Sequence, residues 1–234
     1  MAYSFQNNGF GQSIFISRAG SGGDITSRKY NLIIGGCLLW GFLFNFLTVT
    51  FFGDAFFAWV SKSTMTYFAF LIGYIVLAVA GAVVCSKSDK ASTSFLGYNL
   101  LVLPLGLFLC ILCHQFSSTI ISKAFFTTMC VTGLMICMAV IFPNFFLSIG
   151  RGLFFALLCV MIVQLLTVFI FRINPTMIDI VVAAIFCGYI GYDWARSQRL
   201  PYTVNNAIDC SCALYLDIFN LFVRILSLFG RESR

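Results

Sequence analysis

The stretch 213–226, ALYLDIFNLFVRIL, sets an acid, Asp217, and a base, Arg224, into an otherwise apolar run. In a water-soluble protein two such charges would mark the solvated face of a helix. The rest of the chain excludes that reading. Of 234 residues 60% are hydrophobic and only 9% charged, with 4 prolines and a mean hydropathy of +0.97, whereas soluble domains carry about 25% charged residues. The composition is that of a polytopic membrane protein.

Working outward from that stretch, apolar runs long enough to cross a ~30 Å hydrocarbon core fall near 31–52, 65–85, 94–114, 119–142, 152–171 and 177–192, with a more polar seventh near 206–229. The runs show no sustained alternation of the barrel type, and backbone satisfaction in lipid leaves helices as the remaining choice. The expected class is all-α with seven transmembrane helices over 31–230. Pro104 should kink the third span and Pro143 should stop the fourth. Residues 1–30, with AGSGGD at 19–24, read as a flexible tail, and 231–234 as a short C-terminal tail. No secretory signal pattern opens the chain, so the first span is expected to persist.

Basic residues are retained in the cytoplasm. With the N-terminus inside, Arg18, Arg28, Lys29, Lys87, Lys90, Arg151, Arg196 and Arg199 lie inside, and Lys62, Lys123 and Arg172 outside, joined by Arg231 and Arg234 if the seventh segment crosses completely. The count favours N-inside. A re-entrant seventh segment would instead return the C-terminal arginines to the inner side. The net charge of +6 needs no nucleic-acid partner, because topology accounts for it.

Ten cysteines and one histidine invite a metal or redox reading. Cys110-x-x-Cys113 precedes His114, but zinc wants three or four converging ligands, and a buried free cysteine is commonly a small hydrophobe. Cys210 and Cys212 carry the same reading. Paired phenylalanines suit lipid-facing bulk and span ends, while the glycines of GAVVCS (81–86) and GYIGYD (188–193) mark close helix approaches.

The acids carry the chemistry. Asp24, Asp54, Asp89 and Glu232 fall in tails or loops, while Asp179 and Asp209 start spans and read as dipole-complementing caps. Asp193 and Asp217 remain. An ionised Asp at a helix centre costs about 2.5–3.5 kcal/mol, so it should face a partner or a water-filled cavity. The two can pair only if the sixth helix continues past Asp193, or the seventh starts later or is displaced, since Asp217 otherwise lies ~16 Å deep. Arg224, two turns beyond Asp217, can pair with another helix or snorkel to an interface.

GYDWARSQRL at 191–200, followed by ALYLDIFNLFVRILSLFGR at 213–231, resembles the closing signature of the Bax-inhibitor family, the transmembrane BAX inhibitor motif proteins. The resemblance implies six helices around a central seventh and a pH-sensitive calcium leak channel serving calcium homeostasis, with no cofactor beyond Ca²⁺ as the transported ion. It also implies that Asp193 and Asp217 share a proton as a latch between helices six and seven, sense pH and transiently hold Ca²⁺ on its path. Two departures stand out. The second span, MTYFAFLIGYIVLAVAGAVVC, has no acid where bacterial relatives often do, and the loop after span four reads FPNFFLSIGRG. A latch-supporting base has only Lys87 or Lys90 as counterpart, with Arg224 as a further possibility. The implied setting is a bacterial inner membrane with the N-terminus cytoplasmic.

Rival classes are a non-conducting regulator that binds other membrane proteins and, less well supported, an intramembrane aspartyl protease. The protease reading lacks Gly-x-Gly-Asp around its second aspartate and a later Pro-Ala-Leu. Rhomboid-type serine chemistry lacks Gly-x-Ser-Gly.

Overall fold

In the computed structural model, which describes residues 24–169 and 175–232, seven helices follow one another: α1 (Ser27–Val60), α2 (Thr64–Lys87), α3 (Ala91–Cys113), α4 (Ser118–Ile141), α5 (Pro143–Phe169), α6 (Pro175–Ser197) and α7 (Val204–Glu232). Each is long and apolar enough to cross a membrane. The chain is a multi-pass integral membrane protein.

Short polar connections set the helix ends. Thr26, Ser63 and Ser117 cap α1, α2 and α4, their hydroxyls accepting from Lys29, Met65 and Ile120 amides. Pro143 opens α5, where its missing N–H costs nothing. The expected stop at Pro143 is therefore also a start: of FPNFFLSIGRG, read above as a loop, Phe142 caps the end of α4 and the rest forms the first turns of α5. Pro104 lies within α3, which continues through it. Asp54, expected in a loop, is on α1, which begins at Ser27 and runs to Val60. Residues 1–23, most of the proposed tail, lie outside the described residues, as do Arg172 and Arg234.

Burial separates the helices. In its most apolar window α7 is 61% buried, against 6% for α5. α7 packs against α1, α2, α3, α4 and α6, and α5 leans on α6 and α4. A helix carrying Asn205, Asn206, Asp209, Ser211 and Asp217 cannot face hydrocarbon without heavy desolvation cost, so it goes to the centre and the uniformly apolar helices surround it. The small-residue tracts place the close contacts. Gly81 of α2 meets the backbone of Gly97 and Leu101 on α3 so closely that a Cβ would lie 2.7 Å from the Gly97 carbonyl oxygen. Gly191 of α6 leaves room for the Phe146 ring of α5.

The near face of the bundle holds the start of α1 and the α2–α3, α4–α5 and α6–α7 turns. The Ile25 amide donates to the Tyr202 carbonyl at 2.8 Å, Asn205 to Ser88 at 3.0 Å, and Arg199 to Asn144 at 3.0 Å. At the far face Gly230 meets Phe116. α7 is continuous from one face of the bundle to the other.

Candidate functional site

The relation between α6 and α7 is fixed by a tyrosine from α1. The fully buried Tyr30 hydroxyl donates to the Ser197 carbonyl at 3.1 Å and lies 3.3 Å from Cys210 Sγ. The end of α6 is thus level with Cys210, and the first turns of α7 lie below it, toward the near face. Counting back from Ser197 and forward from Cys210 brings Asp193 and Asp217 to within about one helical turn of the same depth. The depth conflict in the sequence is resolved by two of the routes it left open, and not by a later start of the seventh helix, since α7 begins at Val204. α6 continues four residues beyond Asp193, and α7 is displaced along its axis.

The two carboxyls meet. Asp193 and Asp217 face one another closely enough for each carboxyl to act on the other's charge, Asp217 is buried, and its Oδ2 accepts from no amide, hydroxyl or basic group. A carboxyl–carboxylate hydrogen bond requires a proton on one partner. The positive charge at the pair is Arg196, whose guanidinium lies 4.0 Å from Asp193 one turn along α6. Tyr189 and Cys210 are the other titratable groups close by.

The supporting bases expected from sequence are elsewhere. Lys87 and Lys90 flank the α2–α3 turn, where Ser88 meets Asn205, twelve residues and about 18 Å of helix from Asp217. Arg224 does not snorkel. It pairs with Asp179 across α6 and α7 at 2.7 Å and reaches Gln164 of α5 at 3.5 Å. Asp179 was expected to cap its helix, but it lies beyond the first turn, is 3% exposed, and takes a second arginine, Arg231, at 2.8 Å and the Ser227 hydroxyl at 3.1 Å. The cue for this cluster was the seven-residue spacing of Arg224 and Arg231, which puts both on one face of α7.

Asp209 also departs from a capping role. It is buried beyond the first turn of α7, and the Cys85 thiol of α2 donates to its Oδ1 at 3.3 Å. Next to it, Ser94 donates to Asn205 at 2.7 Å. The second span, which carries no acid, thus presents a thiol to an acid on α7. Cys110, His114 and Cys113 do not converge. The Cys110 thiol faces the Gly106 carbonyl at 3.4 Å, while His114 stacks on Phe57 and faces Asp54 at 3.5 Å. Among the described residues no group of three or more His, Cys, Asp or Glu is placed to hold a metal.

Comparison with known proteins agrees with the architecture. The family described as inhibitor of apoptosis-promoting Bax1 matches residues 24–234. An uncharacterized membrane protein of Streptococcus pyogenes serotype M1 is 26% identical over 74% of this chain and 78% of its own length. The protein LIFEGUARD 4 of Arabidopsis thaliana is 37% identical over 35% of this chain and 33% of its own. A BI1-like protein of the same plant is 37% identical over 35% and 32%.

Proposed function

The chain belongs to the Bax-inhibitor family, and from that premise we propose that it is a pH-sensitive calcium leak channel whose sensor is the Asp193–Asp217 pair. The observation that carries this reading is the meeting of two carboxyls across α6 and α7 with no strong ion pair to neutralise either. Two carboxylates at such range repel strongly in a poorly polarisable interior, so they hold one proton between them and titrate as a unit. The shared proton ties α6 to α7. As pH rises the proton leaves, two like charges remain, and α6 and α7 separate around a pair of hard oxygen ligands. Calcium takes six to eight oxygens in a stable site, so two carboxylates make a place of transit. In this reading the near face, with Arg28, Lys29, Lys87, Lys90, Arg151, Arg196 and Arg199, is cytoplasmic, and the membrane is a bacterial inner membrane.

The test is Ca²⁺ flux into proteoliposomes over pH ~6 to ~8, a range in which a coupled carboxylate pair can titrate, for the wild type and Asp217→Asn. Flux that rises with pH in the wild type and loses that dependence in the variant supports the channel. Absence of flux above empty liposomes, with the protein folded, transfers the assignment to a non-conducting regulator that binds other membrane proteins.

A further inference from the structure

The cluster around Asp179 at the far face holds more positive charge than its acid can neutralise. Asp179 Oδ1 takes Arg224 Nη1 at 2.7 Å, while Oδ2 takes Arg231 Nη1 at 2.8 Å and the Ser227 hydroxyl at 3.1 Å. Both carboxylate oxygens are committed, and one of the two guanidinium charges is left over. The sequence at this corner offers little to offset it. The connection from α5 to α6, IFRIN at 170–174, has no acid and adds an arginine, and the chain closes on GRESR, with Glu232 between Arg231 and Arg234. A surplus cation in a membrane bundle is costly unless an anion meets it.

The two arginines are not equivalent. Arg224 is the more enclosed, and its Nη2 reaches Gln164 of α5 at 3.5 Å. Arg231 lies about 10 Å further along α7, in the last turn, and its side chain is 38% exposed. Its Nη1 alone is engaged, by Asp179 and, at 3.5 Å, by Thr176 Oγ1 in the first turn of α6. A guanidinium presents five N–H groups in a rigid fork. Among the described residues nothing accepts from Nη2 or Nε of Arg231, so one edge of that fork is open at the end of the bundle. A phosphate matches such an edge with two oxygens at once, and basic pockets between membrane helices bind anionic headgroups. A zwitterionic lipid would bring a cation of its own beside the phosphate, whereas an anionic lipid offsets the surplus.

We infer that Arg231, with Thr176 beside it, is a headgroup site for an anionic phospholipid, the phosphate lying on the open edge of the guanidinium and the acyl chains in the surrounding bilayer. Occupancy neutralises the surplus charge, so Arg224 and Arg231 repel one another less across Asp179, and the far-end contact between α6 and α7 tightens. Lipid binding here does not depend on whether the protein conducts calcium, so the two readings fail separately.

The probe is phosphatidylglycerol, mixed with phosphatidylcholine in nanodiscs around the full-length protein, with retained lipids counted by native mass spectrometry and thermal unfolding followed in parallel. The wild type should retain phosphatidylglycerol in preference to phosphatidylcholine, and its midpoint should rise with the phosphatidylglycerol fraction. Arg231→Gln should weaken that retention about tenfold, the factor that one charge-assisted hydrogen bond supplies, and should flatten the rise. Arg199→Gln, which removes an exposed arginine of the near face, should retain the lipid as the wild type does. Inorganic phosphate, added to the protein in phosphatidylcholine alone, should leave the midpoint unchanged. If Arg231→Gln does not fold, Arg231→Lys, which keeps the charge and gives up the fork, should show the weaker retention in its place. Equal retention of the two lipids, or retention unchanged by the substitutions of Arg231, would overturn the assignment. So would an equal loss in Arg199→Gln, the mark of diffuse attraction, or a midpoint that rises with inorganic phosphate, the mark of a free-anion site.

Discussion

The two ends of the α6–α7 pair are held by opposite chemistries. Toward the near face, Asp193 meets Asp217, and the nearby arginine stands off at 4.0 Å. Toward the far face, one acid, Asp179, receives two arginines at 2.7 and 2.8 Å and a serine hydroxyl. An acid–base cluster is held by opposite charges and needs no shared proton. An acid–acid contact is attractive only while a proton is shared. One end of the helix pair is therefore a fixed tether and the other is conditional. A single stimulus can open one end while the other keeps its register.

That contrast can be broken most severely at the tether. Asp179→Ala leaves two guanidiniums facing each other in a largely buried position, and removal of one partner from a buried ion pair costs about 3–5 kcal/mol. Arg231 reaches solvent, so the low end, about 3 kcal/mol, applies here. Thermal unfolding in detergent should show a large drop in midpoint at pH 6 and pH 8 alike. A loss confined to one pH would contradict the fixed character of this end.

The conditional end should respond in the opposite sense. Asp217→Asn keeps the shape and a hydrogen-bonding group but removes one titrating partner. Stability should change by less than about 1.5 kcal/mol, the net value of one hydrogen bond, while the pH dependence of both unfolding and flux flattens. In the wild type the contact between α6 and α7 is fully present at low pH, where the proton is shared, and is lost as pH rises. A thermal midpoint that falls between pH 6 and 8 in the wild type and stays level in Asp217→Asn checks that sign. A parallel fall in both proteins would remove the pair from the switch.

The arginines of the tether should rank by burial. Arg224→Gln breaks the more enclosed contact, and Arg231→Gln the more exposed one. Partly exposed pairs contribute about 1 kcal/mol or less, so Arg224→Gln should cost slightly more than that and Arg231→Gln clearly less, by the same unfolding measurement. Equal losses would mean that Asp179 treats its two partners as equivalent.

These two ends were unequally legible in the sequence. Seven apolar runs gave the helix count because the membrane imposes a length on each, and the resemblance carried by 191–200 and 213–231 put the more polar seventh at the centre. Asp193 and Asp217 stood out because an unexplained acid within a span is costly. Asp179 did not, because an acid near the start of a helix already has an ordinary explanation in the dipole. Its true partners lie 45 and 52 residues later, at Arg224 and Arg231, and that distance is closed only by the packing of α6 on α7. The start of α5 was misread because FPNFFLSIGRG contains proline, asparagine and glycine, which signal a loop, although proline at the first helical position is also a helix start. The axial displacement of α7 was invisible for a different reason. It depends on Tyr30 reaching across from α1 to Ser197 and Cys210, and no local pattern encodes such a contact.

The smallest expected effect concerns the one cation at the conditional end. Arg196 lies one turn from Asp193 at 4.0 Å, with both side chains partly exposed, so as a source of stability it contributes about 0.5 kcal/mol or less. Its influence on the switch is separable from that. A positive charge beside the pair favours the doubly ionised state, so Arg196→Gln should move the pH at which flux rises upward, by a few tenths of a unit for an interaction of this size. The amplitude of the pH response should be unchanged, because both titrating acids remain. Flux measured across pH in Arg196→Gln distinguishes tuning from gating. An upward displacement of an otherwise intact curve makes Arg196 a modulator of the carboxyl pair, whereas loss of the curve would make it a third member of the switch and end the description of the near end as an acid–acid contact.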